Sequence, residues 1–114
     1  MGFIPVIHMT ELVKVGNISD FKENELTSFN VEGIELMGTI IDGQYHVTSR
    51  ICSHKYFDLT KGHYADGFVT CTLHTSIFNI ESGDALNPPA TENIEIYQTV
   101  IENDFVYILS LIHI

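Results

Sequence analysis

The amino-acid sequence predicts an all-β fold of antiparallel sheets. Short apolar or alternating segments recur along the chain, and Gly- and Asp-bearing turn signals separate them. Only one stretch offers so much as a helical turn. Many short strands with turns between them belong to a sandwich or barrel-like architecture. In chain order, residues 13–15 read as a first strand. Residues 20–26 read as a short helical turn capped by Ser19 or Asp20. Residues 32–36 and 38–41 read as the next two strands, and Asp42-Gly43 is a hairpin turn into residues 44–48. Residues 68–70 and 76–80 follow, the latter running into a turn at residues 81–84. Asn87-Pro88-Pro89-Ala90 is a rigid extended loop, because two prolines fix φ and remove two donors. Residues 95–100 and 105–109 alternate as a last pair of strands, joined by Glu102-Asn103-Asp104.

The chain has 114 residues, the size of one domain, and 45% of them are hydrophobic, enough for a packed core. Fifteen acidic against 5 basic residues leave a formal net charge of -10. That charge argues against nucleic acid and against anionic membrane surfaces as partners. No apolar run approaches the roughly 20 residues of a membrane span. No basic-then-apolar leader opens the sequence, so a soluble, cytoplasmic monomer is expected. His8-Met9 has the look of a cloning junction. Residues 1–8 are therefore expected to be a remnant, residues 9–110 a single domain, and residues 111–114 a tail.

Two short segments carry the chemistry: Cys52-Ser53-His54 and Cys71-Thr72-Leu73-His74. In a reducing compartment, a Cys with a His close behind it reads as a metal-ligand pair before it reads as half of a disulfide. Each pair is short enough to sit on one loop, and Gly62 and Gly67 let the chain between them reverse. Two thiolates and two imidazoles suit a tetrahedral zinc ion or a cluster with split ligation. Zinc fingers usually pair Cys with Cys and His with His along the chain. One Cys and one His per loop is the arrangement for a [2Fe–2S] cluster with both thiolates on one iron and both imidazoles on the other.

These segments, with Thr75-Ser76-Ile77-Phe78, Gly83 and the Pro88-Pro89-Ala90 loop, resemble the two boxes of Rieske proteins. The likeness is closest to the ferredoxins of bacterial aromatic-ring-hydroxylating dioxygenase systems, and it spans residues 13–108. It implies the Rieske fold: an antiparallel β base and a small cluster-binding lobe over about residues 50–78. It implies Cys52, His54, Cys71 and His74 as ligands of one [2Fe–2S] cluster per chain, with Ser76 and Pro88 beside it. It further implies a one-electron carrier between an NAD(P)H-dependent ferredoxin reductase and a terminal oxygenase, with no catalytic residues of its own. The high-potential Rieske proteins carry an extra cysteine in each box, joined as a disulfide, and a tyrosine four residues past the last ligand. This chain lacks both cysteines and has Phe78 at the tyrosine position. Two other readings stand beside this one: a Rieske-like small subunit of a larger enzyme such as nitrite reductase, and a structural zinc module.

Overall fold

The computed structural model describes residues 8–53, 56–72, 75–88, 90 and 92–113. Ten strands stand in it: β1 (His8–Asn17), β2 (Thr27–Val31), β3 (Ile34–Ile41), β4 (Gln44–Ser49), β5 (His63–Ala65), β6 (Phe68–Cys71), β7 (Ser76–Asn79), β8 (Ile96–Tyr97), β9 (Thr99–Glu102) and β10 (Phe105–His113). They form three antiparallel sheets, ordered β1-β10-β9, β2-β3-β4-β8 and β5-β6-β7. The fold class is the one the sequence predicts.

One turn design recurs four times. Glu32-Gly33, Asp42-Gly43, Asp66-Gly67 and Asn103-Asp104 each place two successive residues at positive φ between paired strands. Two-residue turns of this kind match the right-handed twist of the strands they join. The reading of residues 32–36 and 38–41 as two strands is corrected here, because Glu32-Gly33 is itself a turn and residues 34–41 run on as the single strand β3. The strand before it, β2, carries Phe29 inward and pairs with β3 along its length. Glu-Gly is a weak turn signal because an L-glutamate resists positive φ, and β2 is interrupted by Ser and Asn. The helical turn also moves. Asn17, not Ser19 or Asp20, caps a 3-10 turn over Ile18–Asp20. Its side chain accepts from Ser19 N at 3.0 Å, and Asp20 answers by accepting from Asn17 N at 3.0 Å. The β1–β10 ladder reaches His8↔His113, so residues 111–113 are paired strand.

The first two sheets enclose a core of Phe21, Leu36, Val47, Val106 and Ile108. The third sheet stands over a second core, with Leu59, Val69, Phe78 and Ile80 packed on Met37 and Ile94. This is the base-and-lobe division expected from the sequence. The lobe springs from the end of β4, where Ser49 N donates to Glu95 O at 2.8 Å and Ser49 Oγ accepts from Glu95 N at 3.2 Å. Among the described residues, no helix is long and apolar enough to cross a membrane.

Candidate metal centre

Both cysteines fall in the lobe core: Cys52 is 4% exposed and Cys71 fully buried, and no disulfide joins them. His54 and His74 lie outside the described residues, as do Lys55, Leu73 and Pro89.

Cys52 opens a loop that is pinned shut at its foot. Its N–H donates to Phe57 O at 2.9 Å, Leu59 N donates to Arg50 O at 2.7 Å, and Ile51 pairs with Asp58 across a single bridge. Asp58 then caps the 3-10 turn Leu59–Lys61 by accepting from Thr60 N at 2.9 Å. Phe57 packs against the lobe core, whereas Tyr56 stands outside.

Cys71 ends β6 and faces Ser76 at the start of β7, so the second loop is also a closed hairpin. Thr75 takes positive φ, 58°, and its N–H donates to Cys71 O at 2.7 Å. Phe78 is fully buried, a core residue as its apolar ring demands.

A third segment laces these loops together, and the sequence pointed only to its prolines. Asn87 Oδ1 accepts from Ile77 N at 2.7 Å while its Nδ2 donates to Thr75 O at 2.9 Å. Ala90 N donates to the buried Ser76 Oγ at 3.1 Å. Ser53 Oγ donates to the carbonyl of Glu92. Pro88 is exposed between these anchors. Asn87 is the residue that sequence reasoning missed. Its signal is an amide directly before two prolines, whose missing N–H groups leave side chains to make the local hydrogen bonds.

The donor set suits a thiophilic metal group. Two thiols from separate hairpin loops meet in one apolar core, and each loop carries a histidine two or three residues further on. Residues 11–98 match the model of the Rieske [2Fe-2S] domain. The chain belongs to the Rieske [2Fe–2S] family. Its cofactor is therefore a [2Fe–2S] cluster and not zinc. The chain is 33% identical over 86 residues to the ferredoxin component of the naphthalene 1,2-dioxygenase system of Pseudomonas putida, covering 75% of this chain and 83% of that one. It is 32% identical over 79 residues to the ferredoxin component of the alkene monooxygenase system of Xanthobacter autotrophicus, 68% of this chain and 65% of the relative. Among solved structures, the ferredoxin of Sphingomonas yanoikuyae B1 superposes with a TM-score of 0.80 at 27% identity, over 88% of this chain and 99% of that one. Like these ferredoxins, the Rieske chain described here is an electron carrier and not the catalytic enzyme of its system.

Proposed function

We propose that Cys52, His54, Cys71 and His74 hold the cluster, and that the protein carries single electrons from an NAD(P)H-dependent ferredoxin reductase to a terminal oxygenase of the aromatic-ring dioxygenase type. The observation that carries the ligand assignment is the convergence of Cys52 and Cys71 in one buried cluster from two separate hairpins. The cluster supplies the one-electron exchange. The chain supplies a dry apolar seat at the thiol end, through Leu59, Val69 and Phe78. It leaves Tyr56, Thr72 and Thr75 exposed for a partner to approach. The oxygenase assignment draws on the naphthalene dioxygenase ferredoxin; the alkene monooxygenase relative marks the other class of terminal enzyme to be compared. Ser76 and Pro88 are placed beside the cluster in this reading. A soluble, cytoplasmic monomer fits this role.

The test is reconstitution. Anaerobically purified protein should carry about two irons and two acid-labile sulfides per chain, as the cofactor formula requires. His54→Ala and His74→Ala should each abolish the Rieske spectrum. NADH-dependent turnover with a matched reductase should then be measured with an aromatic-ring dioxygenase and, separately, with an alkene monooxygenase. Turnover only with the second would overturn the aromatic assignment, and stoichiometric zinc would overturn the site.

A further inference from the structure

We propose that Glu35 and Arg50 are positioning residues for the first ligand loop, which they clamp to the base at both ends through Tyr56. The inference rests on the assignment of Cys52 and His54 as ligands.

Arg50 lies two residues before Cys52 and is only 9% exposed. A guanidinium taken so far from water needs compensating charge close by. Two carboxylates supply it. Glu35 Oε2 lies 3.3 Å from Arg50 Nη2, and Asp58 Oδ2 lies 3.7 Å from Arg50 Nε. The backbone repeats the first contact, with Arg50 N donating to Glu35 O at 3.1 Å. Glu35 belongs to β3 of the base, whereas Asp58 closes the foot of the loop.

The same oxygen, Glu35 Oε2, also accepts from the hydroxyl of Tyr56 at 2.7 Å. Tyr56 stands at the far end of the loop and is 73% exposed. Burial therefore cannot fix it there, and the bond to Glu35 is what holds it. One carboxylate oxygen thus grips the residue that enters the loop and the residue that leaves it. None of this adds to the hydrophobic core. The clamp constrains the loop without carrying the fold.

The experiment uses the cluster-loaded full chain with Tyr56→Phe, Glu35→Ala, Glu35→Gln and the double variant Tyr56→Phe/Glu35→Ala. Cluster loss in chelator is followed by visible absorption, the loop geometry by the reduced-state EPR spectrum, and the base by amide exchange in β1 and β10. Tyr56→Phe should keep a Rieske spectrum with altered line shape and lose the cluster roughly three- to tenfold faster, the worth of one hydrogen bond. Glu35→Ala should lose it at least as fast, because it also takes one of two carboxylates from the buried Arg50. The double variant should be no faster than Glu35→Ala, since the two residues share the contact. Glu35→Gln retains an acceptor oxygen and should recover part of the difference. Base exchange should not change. Parental loss rates and line shapes in Tyr56→Phe and Glu35→Ala would overturn the clamp, as would equal loosening of β1 and β10. A Rieske spectrum surviving in His54→Ala would overturn the ligand assignment instead, and that result does not depend on Glu35.

Discussion

The base is closed by carbon. Phe21 stacks on Phe29 with ring centroids 4.8 Å apart and meets the edge of Tyr45 at 5.4 Å, above Leu36, Val47, Val106 and Ile108. The lobe is built differently. Its strands are three or four residues long, and its core places the thiols of Cys52 and Cys71 among Leu59, Val69 and Phe78. The two sulfurs are themselves part of that core. Whatever binds the two sulfurs therefore contributes to the lobe's stability, because binding free energy at a site formed only on folding is also folding free energy. The base owes its stability to side chains and the lobe owes part of its own to the cofactor.

Removing the cofactor should break the molecule along this line. After the cluster is stripped with chelator and reductant, amides of Val69, Thr70 and Ile77 should exchange freely while those of Val106 and Ile108 keep their protection. Hydrogen exchange read by NMR or mass spectrometry checks this directly. Loss of protection in both regions at once would show a single cooperative unit and end the distinction.

A pair of glycines sharpens it. A Cβ at Gly62 would lie 2.2 Å from the Thr70 carbonyl oxygen, which is backbone in the lobe sheet and cannot rotate away. A Cβ at Gly38 would lie 2.3 Å from the Phe21 ring in the base. Gly62→Ala should therefore distort the lobe and reduce cluster occupancy, at a cost of about 3 kcal/mol or more, the upper end for overpacking. Gly38→Ala should cost about 1–3 kcal/mol of global stability and leave the EPR spectrum intact. Urea titration and EPR on both variants separate the two outcomes.

Ser76 tests how the lobe addresses the cluster. Its hydroxyl is fully buried and accepts from Ala90 N, which leaves its own proton to donate. A donor to a cluster sulfur favours the more negative, reduced state. Ser76→Ala should lower the reduction potential and, by orphaning Ala90 N, cost about 1 kcal/mol. An unchanged voltammogram with the same loss of stability would make Ser76 a loop tie only. With no second pair of cysteines for a disulfide and no hydroxyl at Phe78, the parent is expected in the lower part of the Rieske range, which begins at about -150 mV, and the same voltammetry checks it.

What the sequence made legible follows from the range of each interaction. Asp42-Gly43 and the strands on either side of it are local signals, and they stand where expected. The cysteine–histidine pairs are local as well, two to three residues apart, so the cofactor was readable before the fold. β2 was hidden because its turn uses Glu32, a residue with little affinity for positive φ. β5 was hidden because three residues are too few to show a period. Residues 95–100 read as one strand, whereas two strands stand there, β8 pairing with β4 and β9 with β10. The Glu35–Arg50–Tyr56 contacts could not be read, because they join positions 15 and 21 residues apart. No local pattern announces a partner at that distance.

The smallest expected effect lies at alkaline pH, where a tyrosine in each region reports on it. Tyr97, on β8, packs against the base core. Burial first, and the Glu95 carboxylate second, push its phenol up to about 12. Tyr64, on β5, packs against the lobe core, and burial raises its phenol too. A phenol with a raised pKa in the fold keeps its proton after the unfolded chain, at about pH 10, has begun to lose its own. The stability tied to that proton is complete below about pH 10 and declines as the pH climbs through the folded value. For Tyr97 the decline should run from about pH 10 to about pH 12. Tyr97→Phe has no proton to lose, so urea midpoints followed by a base probe should fall less steeply in that window than those of the parent. Tyr64→Phe should flatten the corresponding loss for the lobe, followed through the visible absorption of the cluster, and leave the base curve alone. If either substitution flattened both curves equally, the regions would be exchanging stability across their whole contact. Base and lobe would then have to be treated as one unit at high pH.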